Sequence, residues 1–257
     1  MRTYSLLLFC LISFTSLLAQ QPPSTNYYQS IKNYNLSCLW KADSIVIEVG
    51  PDKSPFPEPL GFIGENYQRF YIHYTSVTRV NNSPYLYQVT GKTRVKDNIC
   101  NFTGQIRILK AVLYKEPVTS EFSQFKNGSV ISLITFYEDS AQSGSGVIKG
   151  KLVSNFYINK KGHLFYDALM AVADGFSNNE CTATWTSYKT GKSKKCNWGD
   201  YRIPDSGPLD TGVGEFYVAE EYRKYGWESY QTAWSGADVP EAVQAKAQAE
   251  EKREWWR

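Results

Sequence analysis

Two histidines, His73 and His163, are the only side chains on which a hydrolase of the Ser-His-Asp or Cys-His type could be built. Asp167 follows His163 by four residues, so both would project from the same face of a strand. His73 lies between Arg69 and Arg79 in an alternating segment. The ordinary interpretation of each is a surface or edge histidine. We therefore predict no catalytic residue, and a secreted hydrolase is kept only as a third hypothesis.

Two glycine-containing segments match a phosphate-binding loop only in part. Gly91-Lys92-Thr93 and Gly191-Lys192-Ser193 end like such a loop, but the glycine required five residues before each is Leu86 or Thr186. The chain contains no CxxC or HxxxH spacing, and its acidic loops lack the EF-hand pattern. A formal net charge of +3 does not favour a polyanionic partner. We expect no cofactor, no metal site and no nucleic-acid partner.

The first residues are typical of a secretory signal peptide over residues 1–19. Arg2 supplies the positive start, residues 6–18 the apolar stretch, and Ala19 a small residue at the expected cleavage point. This pattern predicts a secreted protein, extracellular or periplasmic. No later stretch approaches about 20 apolar residues, so no transmembrane segment is expected. Residues 20–35 are then predicted to form a polar N-terminal tether that does not pack.

Four cysteines follow the predicted leader, and an even number in an oxidising compartment permits two disulfides. They are Cys38, Cys100, Cys181 and Cys196. A hairpin with Thr190-Gly191 at its turn would set Cys196 opposite Trp185 and not opposite Cys181. Either the turn lies elsewhere or Cys181 and Cys196 are not bonded to each other, so the pairing stays open, with Cys181–Cys196 and Cys38–Cys100 as one of the three possibilities.

Residues 36–203 read as a series of strands about ten residues long, separated by strong turn signals. Turns this short force neighbouring strands to be antiparallel. The pattern predicts an all-β domain, an antiparallel up-and-down barrel of eight or nine strands with short C-terminal helices. A two-sheet sandwich is the alternative. A change of phase near Leu109-Lys110 indicates a β-bulge.

Each strand with a regular alternation has one polar, solvent-facing side, which identifies the side chains that point inward. In residues 69–80, for example, the alternation places Ser76 on the inner face. The predicted inner set supplies an aromatic lining that could contact a ligand: Phe70, Tyr74, Tyr87, Phe102, Phe156 and Trp185.

The alternating strand pattern ends after the predicted barrel. Residues 204–237 combine an extended loop with two short helical stretches, the first ended by Gly226, and are expected to pack on the barrel. Residues 238–257 are expected to form a loosely attached helix with Asp238 as its N-cap. Four tryptophans in this part of the chain are candidate contacts for a partner: Trp227, Trp234, Trp255 and Trp256.

The strand pattern over residues 36–203, with helix after it, resembles that of lipocalin-like, calycin-type barrels. Ser37-Cys38-Leu39-Trp40 stands near the first strand, without the glycine two residues before Trp40 that is usual in that group. The resemblance implies an up-and-down barrel that carries a small apolar ligand.

Two hypotheses therefore precede the hydrolase. The leading one is a secreted, non-catalytic binding protein with a small apolar or aromatic ligand inside the barrel. The alternative is a secreted or surface-associated module that contacts a protein or glycan through its aromatic C-terminal segment.

Overall fold

The structure is a computed structural model that describes residues 22–47, 53–117, 119–234 and 239–257. The predicted leader and the predicted N-cap Asp238 lie outside the described residues. The strands are β1 (Ser24–Asn26), β2 (Ser44–Val46), β3 (Lys53–Pro55), β4 (Leu60–Ile63), β5 (Gln68–Arg79), β6 (Leu86–Val95), β7 (Asn98–Tyr114), β8 (Lys126–Glu138), β9 (Gly146–Ile158), β10 (Leu164–Tyr166), β11 (Asn178–Ser187) and β12 (Ser193–Asp200). The α-helices are α1 (Tyr28–Ile31), α2 (Glu228–Ala233) and α3 (Glu241–Glu251), and short 3-10 helices lie at Leu36–Leu39, Ser120–Phe122, Gly207–Leu209 and Glu220–Tyr225.

Eight strands close into an antiparallel barrel. β4 to β9 pair in chain order, β11 follows β9, and β12 returns to pair with β4. β10 adds to β9 outside the ring, and β1 adds to β7 beyond the point where β6 begins. This confirms the predicted all-β, up-and-down barrel, and the sandwich alternative is wrong. Closure removes the unpaired edges of an open sheet, except along the part of β5 that the short strand β4 does not reach.

Side chains fill much of the barrel. The rings of Phe102 and Phe136 stack with their centroids 4.8 Å apart, and Tyr74 meets both edge-on. Gly104 lies where a side chain would not fit, because an added Cβ would come within 2.2 Å of the Thr135 carbonyl oxygen. A small barrel packed in this way has room for a ligand only where the packing is interrupted.

Two bulges set the inner face of the wall. The one predicted near Leu109 is confirmed, since the register of β7 and β8 shifts between Ile108 and Lys110. A second shift lies between Tyr74 and Ser76 in β5. It reverses the alternation, so Val77 is buried. The placement of Ser76 on the inner face is therefore wrong, because an inserted residue exchanges the two faces of a strand.

The hairpin that contains two of the cysteines is shifted from its predicted register. Thr186 pairs with Ser193, so the connecting loop spans residues 188–192 and Thr190-Gly191 is not a two-residue turn. Cys181 lies opposite Trp198. The four cysteines of the described residues are free thiols in this structure. Burial raises the pKa of the Cys181 thiol well above its usual value, and the nearby Cys196 raises it further.

The N-terminal segment closes one end of the barrel and is not a free tether. Ser24–Asn26 pairs with β7, and Ile31 is fully buried. The Leu36 backbone N–H donates to the Tyr87 hydroxyl at 2.9 Å, and the Trp40 indole N–H donates to Ser154 Oγ at 2.8 Å. The expectation that this segment would not pack is wrong, because its apolar side chains enter the barrel end.

The C-terminal segment covers part of the outer wall of the barrel. The 3-10 helix Glu220–Tyr225 ends at Gly226, whose φ of 92° suits glycine. Trp227 is fully buried, and its indole N–H donates to the Tyr67 carbonyl at 2.8 Å. Within the described residues, no helix combines the length and apolar character needed to cross a bilayer.

Helix α3 is firmly attached, which corrects the expectation of a loose helix. Arg69 on β5 donates to both oxygens of Glu251, at 2.7 and 3.2 Å, and both side chains are nearly buried. Beyond the helix, Trp255 meets Tyr71 edge-on with centroids 5.9 Å apart. The weak apolar stripe of the helix did not reveal this attachment, because contacts with α2, an ion pair and the residues after the helix all contribute to it.

Candidate functional site

A cavity of about 690 Å³ opens through the barrel wall and is called the side pocket here. It lies where β4 is too short to pair with the whole of β5: the two strands pair only at Phe62 with Arg69 and at Ile63 with Gln68. Residues 55–59 precede β4 and contain prolines at 55, 57 and 59. Proline has no backbone N–H for a strand ladder. The sequence before β4 therefore ends the pairing and leaves this part of β5 uncovered.

The side pocket joins the interior of the barrel to its outer surface. Tyr74 on the inner face of β5 and His73 on the outer face both contribute to its lining. Other strands contribute Leu152, Asn179, Trp198 and Asp200. The remaining wall comes from residues 40–43, residues 55–59 and the C-terminal side chains Glu251, Lys252, Glu254, Trp256 and Arg257.

A fully buried carboxyl group, that of Asp200, lies at the inner part of this lining. Its Oδ2 accepts hydrogen bonds from the Tyr166 hydroxyl at 2.9 Å and from Asn179 Nδ2 at 2.7 Å. Burial raises the pKa of Asp200 to about 7, and these two hydrogen bonds oppose the rise. This carboxyl group therefore gains or loses a proton near neutral pH.

Four buried polar atoms without a hydrogen-bond partner belong to residues of the side pocket. They are Tyr74 Oη, Asn179 Oδ1, Trp198 Nε1 and Asp200 Oδ1, out of eleven such side-chain atoms among the described residues. Burial raises the pKa of Tyr74 well above its usual value. The Trp198 indole N–H lies close enough to oppose that rise, but its geometry falls short of a hydrogen bond. Buried polar groups are normally paired, so this concentration of unpaired atoms indicates a place for a ligand or water.

The histidine at this site is not the surface residue that the sequence indicated. The His73 side chain is only 7% exposed, and its Nδ1 lies 2.9 Å from Glu58 Oε1. Its ring stacks on Trp256 with centroids 3.9 Å apart. Among the described residues, no serine or cysteine hydrogen-bonds to His73. The arrangement holds the C-terminal segment at the pocket and does not form a nucleophile and base pair.

The second histidine is not part of a site with its neighbouring carboxylate. Neither His163 nor Asp167 falls within β10, so the predicted shared strand face is wrong. Asp167 Oδ2 instead accepts from Asn127 Nδ2 at 2.8 Å. In the described parts of the chain, no cluster of three His, Cys, Asp or Glu side chains could hold a metal ion.

The six aromatic residues predicted to line the interior fall into three places. Tyr74 lines the side pocket. Phe70 and Trp185 line a cavity of about 530 Å³ at the opposite end of the barrel, where the Trp185 indole N–H donates to Glu138 at 2.8 Å. The other three, Tyr87, Phe102 and Phe156, are buried in the core and line neither of these cavities.

The main polar residues of the side pocket were not found from the sequence. Asp200 and Asn179 stand at strand ends, where polar side chains are common and signal nothing in particular. The alternation of three prolines over residues 55–59 was a usable signal, because it predicts a gap in strand pairing before β4. Trp40, which closes the barrel end, also contributes to the pocket lining.

A third cavity, of about 610 Å³, lies on the C-terminal segment and is called the outer groove here. Four of the exposed large apolar side chains line it: Val172, Val213, Tyr217 and Trp234. Of the four tryptophans predicted to contact a partner, Trp234 is about half exposed, whereas Trp227 is buried. Trp255 and Trp256 are partly buried against the outer wall of β5.

The fold and the pocket thus define an eight-stranded barrel with a ligand-sized side opening. Comparison with protein-family models, curated proteins and solved structures finds no match for this chain.

Proposed function

We propose that this chain is a secreted, non-catalytic binding protein that takes a small ligand with an aromatic or apolar body in the side pocket. The observation that supports it best is the combination of an aromatic lining with four unpaired polar atoms in one cavity. Its volume of about 690 Å³ falls within the range of ~300–1,000 Å³ for small-molecule sites.

The aromatic lining is firmly supported. Trp198 packs against Phe70 and Phe136, with ring centroids 5.9 and 6.5 Å away. At the outer part, Phe56 meets Tyr166 edge-on at 5.3 Å. Rings held in this way bind a flat or apolar ligand with little loss of side-chain freedom, which favours affinity. The inner aromatic residues thus act as a packed support for the pocket.

A neutral apolar dye, N-phenyl-1-naphthylamine, tests whether the pocket binds such a body. We expect saturable binding to the wild-type chain with an increase in dye fluorescence. Ala42→Trp, which places an indole in the pocket, is expected to weaken binding about tenfold or more. Ala141→Trp, on an exposed turn at the other end of the barrel, should leave it unchanged. Equal binding by the two variants would refute the proposal.

Native mass spectrometry of the protein purified from its own source tests the natural ligand and the export together. We expect a chain that begins at Gln20 and that retains a small molecule. A chain that still begins at Met1 would contradict secretion by the predicted signal peptide. The four cysteines can be counted as thiols or disulfides in the same measurement.

A second candidate function follows from the outer groove. The exposed side chains of Val172, Val213, Tyr217 and Trp234 bring apolar surface together, and such patches mark interaction sites. This supports a protein or glycan partner bound through the C-terminal segment. The test compares Trp234→Ser with Val243→Ser, a change at an exposed apolar residue of α3. Loss of binding to a captured partner in Trp234→Ser, with binding kept in Val243→Ser, would support this second function.

A further inference from the structure

The buried carboxyl group of the side pocket has no cationic partner among the residues that the structure describes. Both hydrogen bonds to Asp200 Oδ2 come from neutral donors, Tyr166 and Asn179. Its Oδ1 has no hydrogen-bond partner. Among the described residues, no lysine or arginine forms an ion pair with it. Buried carboxylates are normally paired with a cation or a metal ion, so Asp200 lacks the partner that its ionised form requires.

A second unpaired acceptor lies beside it. Asn179 Nδ2 donates to the Leu39 carbonyl oxygen at 2.8 Å and to Asp200 Oδ2 at 2.7 Å, which fixes the orientation of the amide. Asn179 Oδ1 is therefore an acceptor, and it has no partner. The Tyr74 hydroxyl, also unpaired, supplies a third oxygen that can accept. The inner pocket thus offers several acceptors next to an uncompensated carboxyl group.

We propose that the ligand of the side pocket bears a primary or secondary ammonium group, with Asp200 as its counter-ion and Asn179 Oδ1 as a second acceptor. This rests on the proposed function and specifies the class of ligand. An ammonium group has N–H donors and no acceptor, so it matches these oxygens. Trp40 and Trp198 also line the pocket, and indole rings attract cations.

The charges around the pocket agree with a cationic ligand. Asp43, Glu58 and Glu254 add carboxylates to the lining, together with Glu251, which pairs with Arg69. Lys41, Lys252 and Arg257 also line the pocket, and Arg257 pairs with Glu254 at 2.8 Å. Glu58 lies near enough to Asp200 to raise its pKa. An anionic ligand would meet both carboxylates, whereas an ammonium group is attracted to them.

Three probes of similar shape test the class of ligand: 2-phenylethylamine, 2-phenylethanol and 3-phenylpropionate. Calorimetry at pH 8 is expected to show the amine binding about tenfold or more tightly than the alcohol, and the acid weakest. In Asp200→Asn the preference for the amine over the alcohol should disappear, with alcohol affinity kept. Equal affinity for amine and alcohol in the wild-type chain would overturn the inference.

A pH titration of the wild-type chain gives the same test without altering Asp200. Its charged and titratable neighbours are Tyr74, Tyr166, Tyr201 and Glu58. With a pKa of about 7, the ionised fraction of Asp200 rises about tenfold between pH 6 and pH 8, and amine affinity should rise equally. Alcohol affinity should not change.

The controls separate this inference from the proposed function. His73 also lines the pocket, so the titration is repeated with His73→Gln, which is expected to keep the tenfold rise. Loss of the rise in that variant would overturn the role of Asp200. Suppose that the naphthylamine dye binds the wild-type chain and binds Ala42→Trp more weakly, but that the wild-type chain does not prefer the amine to the alcohol. The ligand class is then wrong and the proposed function stands. If the dye does not bind either, both are wrong.

Discussion

Replacement of Glu251 by glutamine tests how the C-terminal helix is held to the barrel. Glu251 accepts both hydrogen bonds from Arg69, and the two side chains are 9% and 5% exposed. It also accepts from Ser229 Oγ. The preceding residue, Glu250, pairs with Arg253 on the surface, where the side chains are 44% and 55% exposed. Two adjacent glutamates in one helix therefore provide a buried and an exposed ion pair for comparison.

The expected cost follows from the burial of Arg69. Loss of one member of a buried ion pair destabilises a protein by about 3–5 kcal/mol, because a charge is left without compensation. Glutamine keeps one acceptor oxygen, and the guanidinium still stacks near Tyr71 and Trp227, at 4.6 and 4.7 Å from the ring centroids. We therefore expect Glu251→Gln to lower the free energy of unfolding by about 3 kcal/mol, the lower end of that range.

Urea unfolding followed by tryptophan fluorescence measures this cost. Glu250→Gln, the matched control, should change stability by at most about 0.5 kcal/mol, because exposed pairs contribute little. Hydrogen exchange should show faster exchange over residues 241–257 in Glu251→Gln only. If the two variants differ by less than about 0.5 kcal/mol, the ion pair does not hold the helix and the reasoning fails.

Two further predictions concern the barrel interior. Gly104→Ala should lower the free energy of unfolding by about 1–3 kcal/mol or prevent folding, because the added Cβ would meet the Thr135 carbonyl oxygen and Phe136 Cα. The control Thr103→Ala, on the exposed face of the same strand, should have little effect. Urea unfolding of the two variants compares their stability. Asp200 has a pKa of about 7 in the folded chain against 3.8 ordinarily, so it retains a proton on folding and its contribution to stability is lost as pH rises from about 4 to 7. The free energy of unfolding of Asp200→Asn should therefore rise by about 3 kcal/mol relative to that of the wild-type chain as the pH rises from about 4.5 to about 7.5. Urea unfolding at the two pH values measures this change. A difference in stability between the two chains that does not change with pH would contradict a raised pKa of Asp200.

The barrel could be predicted because its signals are local. Short turns impose antiparallel neighbours, and period-two alternation identified Phe102 and Phe156 as inward residues. The bulge at Leu109 was visible because charged and apolar residues change phase there. The bulge between Tyr74 and Ser76 was not, because threonine and serine are found on either face of a strand.

The side pocket could not be predicted, because its residues meet only in the folded chain. Asn179 reaches Asp200 where the register of β11 and β12 shifts, between Asn178 and Cys181, and nothing local in the sequence marks that shift. The wall completed by Trp256 depends on the attachment of the C-terminal segment, which the weak apolar stripe of α3 did not suggest. Strand patterns report which face is buried and give no information on which buried polar groups lack partners.

The cost of the unpaired atoms is the strongest reason to regard the side pocket as more than a packing defect. An unpaired buried polar group costs about 1–3 kcal/mol, so four together are comparable with the ~5–15 kcal/mol by which a domain is stable. Much of the barrel core is instead filled by apolar pairs such as Phe102 and Phe136. All four unpaired groups belong to residues that line the cavity beside the prolines of residues 55–59, and a bound ligand that pairs with the three oxygens would offset part of the cost.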